Sequence, residues 1–278
     1  MLGLVLSSIG GNYKCLVDGE TVVIKPRGVF RFKNVTIKAG DHVEIIDSTI
    51  TKVYERKNSF VRPDVSNVDK VVIVTSIVEP MLNYNLLDRL IISSEYMKIK
   101  PLLCFTKTDL ASVPCELSYY RDLGYELVFL PKESGKLKEV LNEGINVLVG
   151  QTGTGKTTLV NKLLPELNLL TNEISKALGR GKHTTTATEL IKYQDGFIAD
   201  TPGFGVLDFA FPSVELKNYF REFIGRVCKF NGCLHLKEPG CIVKKEAEAS
   251  KMFNQRYQNY LRFFEEIKKR ENLRKEFK

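Results

Sequence analysis

Three short motifs, each directly after an apolar run, occur in this chain in an unusual order. Residues 106–109 read Thr-Lys-Thr-Asp, residues 150–157 read Gly-Gln-Thr-Gly-Thr-Gly-Lys-Thr, and residues 200–203 read Asp-Thr-Pro-Gly. In the usual order of these nucleotide-binding motifs, the first of them comes last. The order therefore predicts a circularly permuted α/β domain, in which the usual ends are joined and new ends open after the third motif.

The middle of the chain, residues 66–213, alternates β-rich runs with helical stretches. The expected strands are 70–76, 100–105, 128–130, 146–149 and 197–199, with a helix over 82–96. Such alternation is typical of a parallel sheet covered by helices.

The octapeptide at 150–157 matches the phosphate-loop pattern G-x4-G-K-[ST], with an apolar strand before it and a helix beginning near Thr158. Its glycines let backbone N–H groups converge on phosphates, Lys156 reaches the β- and γ-phosphates, and the Thr157 hydroxyl coordinates Mg²⁺. An ordinary glycine-rich loop is the alternative. The strand, the loop and the helix nevertheless all fall where phosphate binding needs them.

The motif at 200–203 complements the phosphate loop. Asp200 is expected to hold Mg²⁺, and the backbone N–H of Gly203 to meet the γ-phosphate. By itself this tetrapeptide is a modest signal, and the phosphate loop strengthens it.

The tetrapeptide at 106–109 resembles the [NT]-K-x-D motif with which GTPases read guanine. The Asp109 carboxylate can accept two hydrogen bonds that adenine cannot donate, while the stem of Lys107 covers the base. Thr106 is shorter than the commoner Asn, so we expect weaker base affinity. Downstream, Pro131 replaces one N–H donor of the usual Ser-Ala step, but Lys132 keeps its own. The candidate nucleotide-binding residues are Thr106, Lys107, Asp109, Lys132, Gly150, Gln151, Thr152, Gly153, Thr154, Gly155, Lys156, Thr157, Thr158 and Gly203.

A polar segment at 179–186, Gly-Arg-Gly-Lys-His-Thr-Thr-Thr, is expected to form a mobile loop. Either Thr184 or Thr185 would complete the Mg²⁺ coordination when a γ-phosphate is present. Phe204 stands where Ras-like enzymes place the glutamine that orients the attacking water. His183 is therefore the candidate catalytic residue, to orient or deprotonate water. A merely exposed histidine is the alternative.

Residues 1–65 alternate short β-rich runs with Gly- and Pro-containing turns. The expected strands are 13–17, 21–24, 29–32, 43–46 and 49–54. Five strands at this spacing predict a small closed barrel, with an OB-fold as the leading candidate. A basic and aromatic run can stack bases and neutralise phosphates, although core placement of its two phenylalanines is the alternative. That run contains Arg27, Phe30, Arg31, Phe32 and Lys33.

Residues 214–278 contain the pattern Cys228-x4-Cys233-x-His235-x5-Cys241. Three thiolates and an imidazole without a spare carboxylate predict a closed, structural, tetrahedral Zn²⁺ site. Unligated cysteines are the alternative.

A helix with an apolar stripe follows, and its basic residues are expected to be free to face a phosphate backbone. The stripe is Phe253, Tyr257, Tyr260, Leu261, Phe264 and Ile267, and the basic residues are Arg256, Arg262, Lys268, Lys269 and Arg270.

Charge is distributed unevenly along the 278 residues. Residues 1–66 carry 10 basic and 7 acidic side chains, 67–213 carry 15 and 17, and 214–278 carry 16 and 9. Basic ends around a slightly acidic middle suggest flanks that touch a polyanion, although a solvated charged helix also explains the C-terminal surplus. No run of about 18 apolar residues and no signal peptide are recognisable, so we expect a cytoplasmic protein without a membrane partner. A monomer is the default.

These motifs in this order resemble the circularly permuted, small-ribosomal-subunit-dependent GTPases of the RsgA/YjeQ family. The resemblance extends to residues 10–13, 27–31 and 181–185, and to Arg256-Tyr257-x-x-Tyr260 after the cysteine cluster. It implies an OB-fold domain at 1–65, a permuted GTPase domain at 66–213 and a zinc domain at 214–278. It also implies late maturation of the small subunit, rRNA binding near the decoding region, GTP hydrolysis stimulated by the subunit, and a catalytic role for His183.

Two other functions remain open from the sequence. The chain could use GTP only as a structural ligand of an RNA-binding assembly factor, or it could be a metabolic, ATP-dependent P-loop enzyme. If the chain is a GTPase, the permutation places the γ-phosphate-sensing motif directly before the basic C-terminal module, so nucleotide state and RNA binding are expected to be coupled.

Overall fold

The computed structural model describes residues 1–28, 36–60, 64–165, 188–200 and 209–276. Its N-terminal unit is a closed barrel in the order β1-β2-β3-β5-β4, in which β1 also pairs with β4. The strands are β1 (Leu2–Ile9), β2 (Asn12–Val17), β3 (Glu20–Pro26), β4 (His42–Ile46) and β5 (Thr49–Val53). β3 and β5 run parallel, and the other barrel pairs are antiparallel. The expected OB-fold is confirmed.

Strand β1 was not predicted, although its middle residues are buried. Val5 belongs to the barrel core, whereas Leu6 belongs to the core beneath the central sheet. The β1 sequence LGLVLSSI is neither strictly alternating nor continuously apolar, so it shows neither of the two patterns that mark a strand. The strand expected at 29–32, with Phe30, Arg31, Phe32 and Lys33, lies outside the described residues.

The central unit is a six-stranded sheet in the order β10-β11-β9-β6-β7-β8. Neighbouring strands are parallel except for β10 and β11, which form an antiparallel hairpin. The strands are β6 (Lys70–Ser76), β7 (Pro101–Thr106), β8 (Glu126–Phe129), β9 (Ile145–Val149), β10 (Glu189–Tyr193) and β11 (Gly196–Asp200). The helices between them are α1 (Tyr84–Tyr96), α2 (Ser118–Asp122), α3 (Ser134–Leu141) and α4 (Lys156–Leu163).

The three motifs leave the carboxyl ends of β7, β9 and β11. Every residue of β7 and β9 is buried, which explains why their sequences are apolar apart from Thr106 and Asn146. Because parallel strands end at one edge of the sheet, the fold brings together motifs that are far apart in the sequence. The expected α/β architecture is confirmed, and β10 is a further strand that was not predicted.

The C-terminal unit contains two 3₁₀ segments, Ser213–Tyr219 and Arg221–Phe223, followed by α5 (Ile242–Ala249) and α6 (Lys251–Glu276). Its core is rich in aromatic side chains and includes Ile92 of α1, so α6 packs on the central unit as well. The predicted apolar stripe is confirmed except at Leu261, which is half-buried, and Met252 and Phe263 extend it.

Arg256 corrects the expectation that the basic residues of this helix face solvent. Its guanidinium is fully buried, with Nε 2.5 Å from the Glu222 carboxylate and Nη1 on the Asp88 carboxylate. Tyr120 and Asn259 donate further hydrogen bonds to Asp88, at 2.9 and 2.7 Å. A buried charge needs such partners, and the structure provides them from α1, α2 and the second 3₁₀ segment.

The other basic residues of α6 divide between solvent and packing. Arg262, Lys268 and Lys269 are exposed as expected, whereas Arg270 is half-buried and donates to the carbonyl of Phe209. No helix in the described ranges is long and apolar enough to cross a membrane.

Candidate nucleotide site and metal centre

The phosphate loop runs from the end of β9 into the first turn of α4. At Gly150, φ is 145° and a Cβ would lie 2.0 Å from the carbonyl oxygen of Val74 on β6, so no other residue fits. Gly155, with φ 89°, adopts the left-handed conformation directly before α4 begins. A glycine-rich loop that enters a helix N-terminus in this way is the arrangement that binds phosphate.

Lys156 occupies the first position of α4 and folds back over the loop. Its Nζ donates to the carbonyl oxygens of Gly150 and Gln151, both at 2.6 Å. Burial lowers the pKa of Lys156 to about 8. A phosphate beside this amine would favour its charged form, so nucleotide binding and protonation of Lys156 are linked.

The loop expected to read guanine is tied to the phosphate loop through Thr106. Its side chain is buried, and its hydroxyl lies 2.7 Å from the carbonyl oxygen of Thr154. The next residue, Lys107, has a positive φ of 59° and donates from Nζ to the carbonyl of Glu79. Both residues therefore fix the loop from which Asp109 projects.

Thr108 connects this loop to the segment that follows β8. Its hydroxyl donates to the carbonyl oxygen of Leu130 at 2.8 Å, and its N–H donates to the same oxygen at 3.1 Å. Roles for Thr108, Leu130 and Glu79 were not predicted, because these contacts end on the backbone carbonyls of Leu130 and Glu79, which carry no sequence signal.

The two loops line one cavity of about 340 Å³. Thr106, Lys107 and Asp109 contribute from the first loop, and Gly155 and Thr158 from the second. Residues expected from separate motifs thus meet at a single site with the shape of a ligand pocket.

Lys132 lies beside this cavity rather than within it. With Asp109 and Pro131, it lines a neighbouring open cavity of about 540 Å³. Asp109 is common to both cavities, so a base seated against its carboxylate would have the segment at 131–132 at its edge.

The third motif is described only at its first backbone position. Asp200 ends β11 and is the register partner of Glu189 on β10. Four further predicted site residues lie outside the described residues: Gly203 for the γ-phosphate, His183 for catalysis, and Thr184 and Thr185 for Mg²⁺. The side chain of Asp200 also lies outside them.

The four expected metal ligands converge at the start of the C-terminal unit. The ligand atoms of Cys228, Cys233, His235 and Cys241 all lie within 4.8 Å of one another. The Sγ atoms of Cys228 and Cys241 are 3.8 Å apart, and His235 Nδ1 lies 3.6 and 3.3 Å from them. A tetrahedron with metal–sulfur bonds of about 2.3 Å has sulfur–sulfur edges of about 3.8 Å. The cluster can hold a tetrahedral metal ion.

Hydrogen bonds outside the cluster hold its loop in place. The Glu238 carboxylate accepts the backbone N–H groups of Leu234 and Leu236, both at 2.7 Å, and these contacts help to lower its pKa despite desolvation. The Tyr257 hydroxyl donates to the His235 carbonyl at 2.8 Å, and Tyr260 donates to the Leu234 carbonyl. Helix α6 thus supports the metal-binding loop, which explains the two tyrosines that follow Arg256 in the sequence motif.

Comparison with known proteins agrees with this geometry. The family model described as RsgA GTPase matches residues 53–210, and that of the RsgA N-terminal domain matches residues 2–54. The chain belongs to the RsgA GTPase family. It is therefore a GTP-hydrolysing enzyme.

Relatives in the RsgA family match the whole length of the chain. A protein of Enterococcus faecalis named small ribosomal subunit biogenesis GTPase RsgA is 42% identical, over 96% of this chain and 96% of its own. A protein of the same name from Staphylococcus aureus strain MRSA252 is 43% identical, over 96% and 98%.

Two solved structures share the fold. YjeQ from Thermotoga maritima has a TM-score of 0.79 and 30% identity over 96% of this chain and 98% of its own. YloQ, described as a circularly permuted GTPase, has a TM-score of 0.76 and 32% identity over 97% and 95%.

Proposed function

We propose that this GTPase, which converts GTP to GDP and phosphate, acts during late maturation of the small ribosomal subunit, that it binds rRNA, and that the subunit stimulates its turnover. The observation that carries the nucleotide part is the convergence of Thr106, Asp109 and Gly155 on one cavity. The ribosomal part rests on the relatives named as small ribosomal subunit biogenesis GTPases.

In the proposed site, Asp109 selects guanine and the residues at 150–158 bind the phosphates. Lys107 covers the base, and Lys132 contributes a backbone donor at the edge of the base. Lys156 supplies the positive charge, and burial of its amine strengthens its attraction to phosphate because little water screens it.

We assign Mg²⁺ to Thr157 and Asp200, with Thr184 or Thr185 joining when the γ-phosphate is present. When bound, the ion neutralises charge that develops on the phosphates. His183 is our candidate to orient the attacking water, and Gly203 to contact the γ-phosphate. The residue after Gly203 is Phe204, whose apolar side chain cannot orient a water molecule as the glutamine of Ras-like enzymes does. Another residue must do so, which supports the role of His183.

Zinc is the metal we assign to Cys228, Cys233, His235 and Cys241. Four soft ligands at tetrahedral spacing leave no open position for a substrate, which is typical of structural zinc. We further propose three units at 1–65, 66–213 and 214–278, a monomer, a cytoplasmic location, and rRNA contacts by the two basic flanks.

The decisive experiment is GTP turnover of the full chain with and without purified small subunits, with ATP as the comparison nucleotide. Free protein should turn over on the order of 10⁻⁴ to 10⁻² s⁻¹, as unstimulated GTPases do, and subunits should accelerate it. Equal rates would refute stimulation. Nucleotide-independent binding to subunits without hydrolysis would favour an RNA-assembly factor, and preference for ATP would favour a metabolic P-loop enzyme.

The role of His183 needs its own variant. His183→Ala should abolish the stimulated turnover while leaving GDP affinity intact, because the side chain is assigned to water and not to the nucleotide. Stimulated turnover equal to that of the wild type would exclude the assignment.

A further inference from the structure

An ion pair outside the nucleotide and metal sites joins the barrel to the central sheet. Lys14 Nζ on β2 lies 3.0 Å from Glu189 Oε1 on β10, and the two side chains are 35% and 22% exposed. The strand β1 packs against β10 at the same contact, where Leu6 and Leu190 share one buried cluster. The barrel therefore touches the central unit at its edge strand.

Glu189 is in direct register with the start of the Asp-x-x-Gly motif. β10 and β11 pair from Glu189 with Asp200 to Tyr193 with Gly196, and only two residues connect the strands. Directly opposed residues of an antiparallel pair lie about 5 Å apart at Cα. A displacement of Glu189 is therefore carried to residue 200 through the hairpin.

β10 also begins shortly after the loop at 179–186, which the proposed function assigns to γ-phosphate sensing. The β10–β11 hairpin therefore lies between residues 179–186 and residues 200–203, the two segments expected to change with the bound nucleotide. Lys14, on the barrel, contacts this hairpin through its ion pair with Glu189.

We propose that Lys14 is a positioning residue for GTP hydrolysis. Through Glu189 it couples the barrel to the β10–β11 hairpin, so that seating of the barrel on rRNA shifts or fixes residue 200 in the hydrolytic arrangement. The inference rests on the proposed function, because it identifies the route by which the subunit stimulates turnover.

Because the Lys14–Glu189 ion pair is partly exposed, breaking it can test the coupling of barrel and hairpin without a large change in folding stability. Solvent-screened pairs contribute little to folding. Breaking the Lys14–Glu189 pair should therefore leave the melting temperature almost unchanged and still weaken the response to subunits.

The test compares Lys14→Glu, Glu189→Lys and the double charge swap in the full chain, at saturating small subunits. Each single variant should lower the ratio of stimulated to basal turnover roughly threefold or more, a usual size for a coupling between sites. The double variant should recover the ratio, because the opposite charges face each other again. Lys14→Arg, which keeps the charge, should behave as wild type.

Lys25→Glu is the matched control, because Lys25 is an exposed lysine on the neighbouring barrel strand β3. Lys25→Glu changes the net charge of the barrel by the same amount as Lys14→Glu but leaves the Lys14–Glu189 pair intact. If it lowers the ratio as much as Lys14→Glu, the effect comes from barrel charge and the proposal is wrong. Failure of the double variant to recover would also overturn it.

Hydrogen exchange of the free protein separates this proposal from the broader function. The amides at 189–200 should exchange faster in Lys14→Glu and return to the wild-type rate in the charge swap. If subunits do not stimulate turnover of the wild type, the proposed function fails. If the amides at 189–200 also exchange at the wild-type rate in Lys14→Glu, the coupling of barrel and hairpin is overturned as well. Faster exchange restored by the swap would still support the coupling of barrel and hairpin.

Discussion

The hydroxyl of Thr106 lies 2.7 Å from the carbonyl oxygen of Thr154, and this contact joins the guanine-reading loop to the phosphate loop. The sequence suggested that a threonine here would weaken base binding, because it lacks the amide of asparagine. The structure gives its hydroxyl another function, which is to hold two loops at a fixed separation around one cavity.

Replacement of Thr106 by valine should therefore weaken GDP binding about tenfold, because it leaves the buried Thr154 carbonyl without this donor. Preference for GTP over ATP should persist, since Asp109 is unchanged. Titration with a fluorescent GDP analogue measures both. Thr106→Ser keeps the hydroxyl and is the control, and wild-type affinity in Thr106→Val would show that the contact does not hold the loops.

Nucleotide affinity should fall as the pH rises above about 8. Burial lowers the pKa of Lys156 to about 8, so the free protein loses this charge with rising pH while bound phosphate favours the protonated amine. Binding then takes up a proton, and affinity can fall by up to about tenfold per pH unit. Isothermal titration across this range tests it, and Lys156→Arg should flatten the dependence because arginine stays charged. A flat wild-type profile would contradict the assignment.

Arg256→Met should destabilise the chain by about 3–5 kcal/mol, because it leaves two buried carboxylates without a counter-charge. Desolvation already raises the pKa of Asp88, and the charge of Glu222 adds to this. A carboxyl with a raised folded pKa contributes stability at low pH that is lost as pH rises through that pKa, so the variant should be destabilised less at acidic pH than at neutral pH. Denaturant unfolding measures this.

Arg262→Met is the control for Arg256→Met, since Arg262 is exposed on the same helix. Its effect should stay within about 0.5 kcal/mol. Equal destabilisation by the two variants would mean that the ion pairs of Arg256 with Asp88 and Glu222 do not contribute to the free energy of unfolding.

Removal of the metal should unfold the C-terminal unit without abolishing nucleotide binding, because the cluster and the cavity lie in different parts of the fold. The purified protein should contain one equivalent of zinc, and Cys241→Ser should lose it and melt at a lower temperature. Elemental analysis and thermal unfolding are the measurements. Cys115→Ser, at an exposed cysteine outside the cluster, should change neither.

The site residues that the structure brings together as the sequence predicted carry strong local signals. The glycines around Lys156 and the cysteines around His235 are recognisable because their chemistry demands particular residue types at particular spacings. The strands β7 and β9 were found for a similar reason, since a parallel strand buried on both faces is a continuous apolar run.

What the sequence did not reveal depends on contacts between distant segments. The burial of Arg256 follows from Asp88 and Glu222, which lie 168 and 34 positions away. Helical spacing places Arg256 beside the apolar stripe and Arg262 opposite it, but this spacing does not reveal the two carboxylates that pair with the buried guanidinium. Likewise, β1 was missed because its sequence shows no clear strand pattern, and the Thr106–Thr154 contact ends on a backbone oxygen.

The ion pairs of α1 with α6 also set an order for synthesis. Asp88 and Arg89 sit in the first helix of the central unit, but their partners Arg256 and Glu266 are translated about 170 residues later. When a nascent chain has emerged from the ribosome only as far as the phosphate loop, Asp88 still lacks the counter-charge of Arg256. The permuted domain can therefore reach its final packing only after α6 leaves the ribosome.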